Sequence, residues 1–220
     1  MAIFASYCNT RARIGALLSQ ADEADLARVV PACPDWKVRD LLTHLVSTPA
    51  ALSRGRFPKG DLNDWLAALL AERPAEPIGA LLAEWESLDP ALEKMLQGPA
   101  AVLFADVSIH EHDLRAALGK PDHAALEADA LPFVMATLDG LLRAADLAPV
   151  EVSHDGHTWS GHDGAPGWTL LVDPWEAVRA LGSRRTADEL RRLPSRGDCE
   201  PYLPVLDAHF SLPDQSLSET

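Results

Sequence analysis

Asp106 and His110 stand four residues apart in the stretch Asp106-Val107-Ser108-Ile109-His110. On a helix that spacing puts a carboxylate and an imidazole on one face, where both can reach the same ion. Leu103, Val107, His110, Leu114 and Leu118 form the apolar stripe of this helix, and Asp106 lies at its edge. Burying such groups is costly unless they are bonded to each other or to a metal. The plain alternative is an ion pair at the surface edge, or a buried histidine satisfied by its aspartate. His44 lies on the flank of a second stripe, Val38, Leu41 and Leu45, and by itself reads as a packed, hydrogen-bonded histidine. Together the three residues supply two imidazoles and one carboxylate, a set that leaves positions open on a catalytic ion. Asp113, three residues after His110, is placed to orient that imidazole as an acceptor, or else to pair with a surface cation.

These side chains need helices to hold them, and the first two-thirds of the chain reads as almost wholly helical. Residues 9–30 carry Ile14, Leu17, Leu18 and Leu26 among polar residues, an amphipathic pattern with a break near Ser19. Pro31 and Pro34 punctuate the chain, and Asp35 is placed to cap the helix that carries His44, which should end near Gly55. One or two helices follow over 61–97, broken at Pro74 and Pro77. A further helix runs from Gly98-Pro99 to Leu118, stopping at Gly119-Lys120-Pro121, and a last one covers 125–146. Short connections between such helices predict an up-and-down bundle. From Pro149 the pattern changes. Val150–His154 alternates like a strand, Asp155-Gly156 is a turn pair, and residues 158–160 and 168–172 are further strand candidates. Helical stretches at 174–182, 186–193 and 199–209 follow. The expected organisation is a bundle over 1–148, a small α+β domain over 149–212 and a tail over 213–220.

Composition narrows the possible functions. With 220 residues and 47% hydrophobic content the chain can build a core without disulfides. Cys8, Cys33 and Cys199 are far apart and odd in number, so neither a disulfide framework nor a cysteine-rich zinc site is suggested. No apolar run reaches the roughly 18 residues of a membrane helix, and the first residues do not read as a signal peptide. A net charge of -14 repels nucleic-acid phosphate and anionic lipid. The expectation is a soluble, cytoplasmic protein with neither nucleic acid nor membrane as partner.

Three segments resemble one known family. Val30-Pro-Ala-Cys-Pro-Asp-Trp36-Lys-Val-Arg-Asp-Leu-Leu-Thr-His44-Leu is similar to the second-helix signature of the mycothiol-dependent maleylpyruvate isomerases and their actinobacterial relatives. His110-Glu-His-Asp113-Leu-Arg-Ala-Ala-Leu-Gly119-Lys-Pro121 resembles their second signature, and Arg179-Ala-Leu-Gly-Ser-Arg184-Arg185 their C-terminal domain. The resemblance implies a mostly α fold, a DinB-like antiparallel four-helix bundle followed by a small α+β domain. It also implies a zinc-type divalent ion held by His44, Asp106 and His110, with mycothiol as thiol cosubstrate. The isomerase pattern has a glutamate where Asp106 stands, one methylene longer. Arg184 or Arg185 corresponds to a functional arginine of that family.

The mechanism expected from this is a metal-lowered thiol pKa, giving a thiolate that attacks a small electrophile. Addition, rotation and departure isomerise a double bond; retention makes an S-transferase. An arginine grips the carboxylate of a small organic acid. Two rivals remain open: a metal-dependent hydrolase of the same fold, and a non-catalytic binding protein that keeps the bundle. Elsewhere, His154, His157 and His162 read as loop histidines facing solvent, His112 as facing away from the core, and Cys33 as a small packed thiol.

Overall fold

The computed structural model describes residues 2–73, 76–122 and 128–217. The chain forms two compact units, Met1–Pro121 and Asp122–Thr220.

In the first unit, α1 (Ala2–Leu18) packs on α7 (Val102–Ala117), α7 on α3 (Val38–Ser53), and α3 on α5 (Ile78–Ser87). The ring closes where Trp85 Nε1 of α5 donates to the Tyr7 hydroxyl of α1 at 2.8 Å. Ile14, Leu18, Leu41, Leu42, Leu45, Trp85, Phe104 and Leu114 fill the interior and are all almost fully buried. Each such side chain contributes about 1.5–3 kcal/mol over its exposed state. The rotation of α7 about its axis, which aims the site residues, is fixed by a buried carboxylate. Glu111 receives Arg13 of α1 at 3.0 and 2.9 Å and Arg115 at 3.0 Å. Around this frame lie α4 (Leu62–Ala71), α6 (Asp89–Met95) and the short α2 (Glu23–Leu26).

The elements differ from the sequence expectations in ways that matter for the site. The helix expected over 9–30 begins at Ala2 and stops at Leu18; Asp22 then caps α2 by accepting from the Asp25 backbone at 2.8 Å. Residues 29–37 form a hairpin, β1 (Val29–Val30) against β2 (Cys33–Lys37), with Val30 opposite Cys33 across Pro31-Ala32. Asp35 therefore lies in a strand and does not cap α3. That role falls to Lys37, whose backbone N–H donates to Asp40 at 2.9 Å. β-branched valines before a proline turn explain the preference for strand here. The end of α7 follows its signal. Gly119 adopts φ 64°, and the Lys120 N–H returns to the Arg115 carbonyl at 2.9 Å.

The second unit holds α8 (Leu131–Ala144) and a four-stranded sheet of order β4-β3-β5-β6. The strands are β3 (Val150–His154), β4 (His157–Ser160), β5 (Trp168–Leu170) and β6 (Ser195–Gly197). β3 and β4 pair antiparallel through Asp155-Gly156, both at positive φ as a tight hairpin turn requires. β3 runs parallel to β5, and β6 returns antiparallel along β5. Gly197 is needed on β6, because a Cβ there would meet the Gly167 carbonyl oxygen at 2.1 Å. Three helices complete the unit: α9 (Pro174–Leu181), α10 (Ala187–Arg192) and α11 (Leu203–Phe210). The sequence pattern changes near 148, but α8 buries its stripe of Leu131, Val134, Leu138 and Leu142 in the second unit, packing against α9 and β4. Unit membership follows buried surface, not the local pattern that marked the expected boundary. Residues 213–217 carry no regular structure. Pro74, residues 125–127 of the expected helix and the end of the expected tail lie outside the described residues.

Candidate metal centre

His44 is in the second turn of α3, and Asp106 and His110 occupy one face of α7. The packing of these two helices brings the three together. His44 Nε2 lies 3.3 Å from both carboxylate oxygens of Asp106, and His110 Nε2 lies 3.4 Å from Oδ1. One donor atom from each residue falls within 4.8 Å of the others. The imidazoles meet edge to face, with centroids 5.2 Å apart. His44 and His110 are buried; the Asp106 side chain keeps 29% of its exposure, leaving an approach from outside.

The distances discriminate between two readings of this contact. A charge-assisted N–H···O⁻ bond is about 2.7–2.9 Å long, so 3.3–3.4 Å is slack for a histidine–aspartate pair. It agrees with the spacing between neighbouring ligands of a tetrahedral ion with bonds near 2.1 Å, which is about 3.4 Å. The far nitrogens of both rings are tied back, as metal-binding histidines require. His110 Nδ1 bonds to Asp113 Oδ2 at 2.9 Å, and His44 Nδ1 bonds to the Thr48 hydroxyl at 3.2 Å. With both far nitrogens so engaged, the two Nε2 atoms face Asp106. The donor set fits a divalent ion of the zinc type.

The electrostatics favour positive charge at the same point. Burial pushes the Asp106 carboxyl upward, yet the neighbouring His44 and His110 more than reverse this and hold it well below the usual carboxylate range. Burial lowers the His110 imidazole, and its bonds to Asp106 and Asp113 outweigh this and raise it. Tyr7 is buried close enough to feel the centre: burial raises its phenol, and the Asp106 charge adds to the rise against the Trp85 N–H.

Sequence reasoning passed over two neighbours of this centre, Trp36 and Thr48, and read a third, Cys33, only as a packed thiol. The Trp36 ring lies 5.0 Å from His44 and 6.5 Å from His110, covering both imidazoles from the β1–β2 hairpin. Cys33, on the same strand, offers a donor within 4.8 Å of His110 and Asp113. Thr48 stands four residues after His44, a spacing that could have identified it. The hairpin residues gave no such local signal.

The remaining expected positions stand as follows. Asp113 is buried on α7 and bonded to His110 as described. Arg184 and Arg185 lie in the second unit just after α9, both buried. Arg185 grips Glu176 with two bonds, 2.7 and 2.8 Å, and lies 5.2 Å above the Trp175 ring; Arg184 Nη1 donates to the Gly182 carbonyl at 2.7 Å. His112 does not face away from the core. It is only 4% exposed, because residues 103–105 and 107–114 of α7 are buried and in that run only Asp106 keeps part of its exposure. His162 also departs from expectation: it is only partly exposed, and both its backbone N–H and its Nδ1 engage Asp139. His157 is exposed and His154 half-buried. No helix among the described residues is long and apolar enough to cross a membrane.

Comparison with known proteins agrees with this architecture. The chain is similar to a crystal structure of the mycothiol-dependent maleylpyruvate isomerase, at 11% identity and a TM-score of 0.52, covering 83% of this chain and 88% of that one. It is likewise similar to a histidine-to-alanine mutant of the mycothiol-dependent maleylpyruvate isomerase, at 10% identity and a TM-score of 0.51, covering 88% and 91%. At such identities the likeness is one of fold. No curated protein matches the chain. Residues 9–172, which include every residue of the centre, match the mycothiol maleylpyruvate isomerase N-terminal domain, and the chain belongs to that family.

Proposed function

We propose that the chain is a metal-dependent enzyme that uses a small thiol, mycothiol, to isomerise a small organic acid or to transfer the thiol sulfur onto such an acid or another electrophile. Family membership supports a thiol-dependent enzyme of the isomerase type. The observation that carries the metal is the convergence of His44 Nε2, His110 Nε2 and the Asp106 carboxylate at 3.3–3.4 Å. A divalent ion of the zinc type bound there supplies Lewis acidity that lowers the pKa of a thiol.

The chain's own residues do the rest. His44, Asp106 and His110 hold the ion; Asp113 keeps His110 in one tautomer, and Thr48 helps to orient the His44 ring. Trp36 covers the rings and limits water on that side, which strengthens the electrostatics beneath it. The shorter side chain of Asp106, against the glutamate of the isomerase pattern, draws the carboxylate towards α7 and leaves room at the partly exposed side. A substrate carboxylate is matched by a guanidinium through paired hydrogen bonds. The family resemblance gives that role to Arg184 or Arg185. The protein works in the cytoplasm, where small thiols stay reduced.

The test is metal analysis of the purified chain together with a cobalt-substituted spectrum recorded with and without mycothiol. One equivalent of metal and a spectral change on adding the thiol are expected. A metal-free chain would remove the centre. A loaded centre that no thiol perturbs would replace thiol chemistry with hydrolysis.

A further inference from the structure

Beside this centre lies a second set of donors that the proposed function uses only in part. Cys33 Sγ, a ring nitrogen of His110 and a carboxylate oxygen of Asp113 lie within 4.8 Å of one another. Two elements bring them there. The β1–β2 hairpin fixes Cys33 opposite Val30, and α7 presents His110 and Asp113 one turn apart. Cys33 is half-buried, whereas His110 and Asp113 are buried.

We propose that Cys33, His110 and Asp113 form a second cation position, adjacent to the first, that selects thiophilic divalent ions. The donor chemistry separates the two positions. The first offers two imidazoles and a carboxylate; the second adds sulfur, and thiolate ligands favour softer ions. His110 has one nitrogen for each: Nε2 faces Asp106 at 3.4 Å, and Nδ1 faces Asp113 at 2.9 Å. An ion in the second position replaces the Nδ1–Asp113 hydrogen bond with two coordination bonds; the His110 Nδ1 proton and the Cys33 thiol proton pass to solvent as the metal bonds form, so that with both positions filled His110 bridges as an imidazolate. His110 is then held by a cation where it was held by a carboxylate. Binding at this position does not require that the first be a catalytic centre. Only its consequence, interference with the first centre through His110, rests on the proposed function.

The experiment titrates cadmium(II) into the full-length chain, freed of metal by a chelator and kept reduced. Four forms are compared: the natural sequence, C33S, C8S/C199S (in which Cys33 is the sole thiol) and H44A. The readouts are the ultraviolet sulfur-to-cadmium charge-transfer band and the calorimetric stoichiometry. A saturating band of one thiolate per chain is expected for the natural sequence, C8S/C199S and H44A, and no band for C33S. H44A should bind one equivalent fewer than the natural sequence. No band in C8S/C199S, or a full band in C33S, overturns the second position. If H44A keeps the band and binds as much cadmium as the natural sequence, the second position stands and the assignment of the first centre fails.

Discussion

Two histidine–aspartate contacts, one in each unit, show how the same residue types serve different ends. On α7 and α3, two imidazoles from separate helices approach one carboxylate at 3.3–3.4 Å, and each ring is tied back through its other nitrogen. In the second unit, Asp139 of α8 faces a single histidine. It accepts the His162 backbone N–H at 2.7 Å, the His162 Nδ1 and the Arg143 guanidinium at 2.9 Å. A Cβ at Gly161 would run into the same carboxylate at 2.5 Å, so the loop is closed down upon it. Asp139 is a clamp whose lone pairs are taken by its own loop and helix. Asp106 is approached by two slack donors that an ion can satisfy better. The lesson is that a histidine near an aspartate does not make a site. The number of imidazoles and the fate of their far nitrogens do.

Several experiments sharpen or break this contrast. The largest effect is expected from His44→Ala or His110→Ala, each of which should drop bound metal well below one equivalent by elemental analysis, while His162→Ala leaves it unchanged. Full occupancy in both former variants would dissolve the distinction. Asp113→Asn comes next. Loss of the acceptor behind His110 should weaken metal affinity by about 10- to 100-fold in a competition titration with a chromophoric chelator. Asp139→Asn should leave metal affinity untouched and lower stability by about 1–3 kcal/mol in urea unfolding, the loss of charge-assisted bonds at a partly buried acceptor. A metal defect in that variant would contradict its role as a clamp.

The smallest effect is in the pH dependence of unfolding, measured on metal-free protein. Burial raises the Asp139 carboxyl, but the bonds from Arg143 and His162 outweigh this and hold it below its ordinary value. A carboxyl depressed in the folded state contributes stability that is present above its unfolded pKa. That stability is lost as pH falls through the folded value. The natural chain should therefore lose stability on acidification below the ordinary aspartate range, and Asp139→Asn should flatten that limb. An unchanged acid limb would show that the clamp carries no net charge coupling.

Residues four apart on one helix were legible because α-helical geometry is local: Asp106 and His110, and in principle His44 and Thr48, share a face whatever surrounds them. The strand and turn pattern over 150–160 was legible for the same reason, with alternation and Asp155-Gly156 enough to give the β3–β4 hairpin. The hairpin at 29–37 was not, because β1 spans only two residues, too few for any alternation to show, and what its valines favour is completed only by pairing with β2. With it went the placement of Trp36 and Cys33 over His110.

What the amino-acid sequence determined by itself was the helical frame, the family and the one-face arrangement of the carboxylate and imidazole on α7. Tertiary structure decided the rest. It brought His44 across to Asp106, buried His112 together with the rest of α7, and turned His162 inward onto Asp139. It also grouped α8 with the second unit. Each of these depends on which surfaces bury one another over long stretches of chain, and no window of local periodicity contains that information.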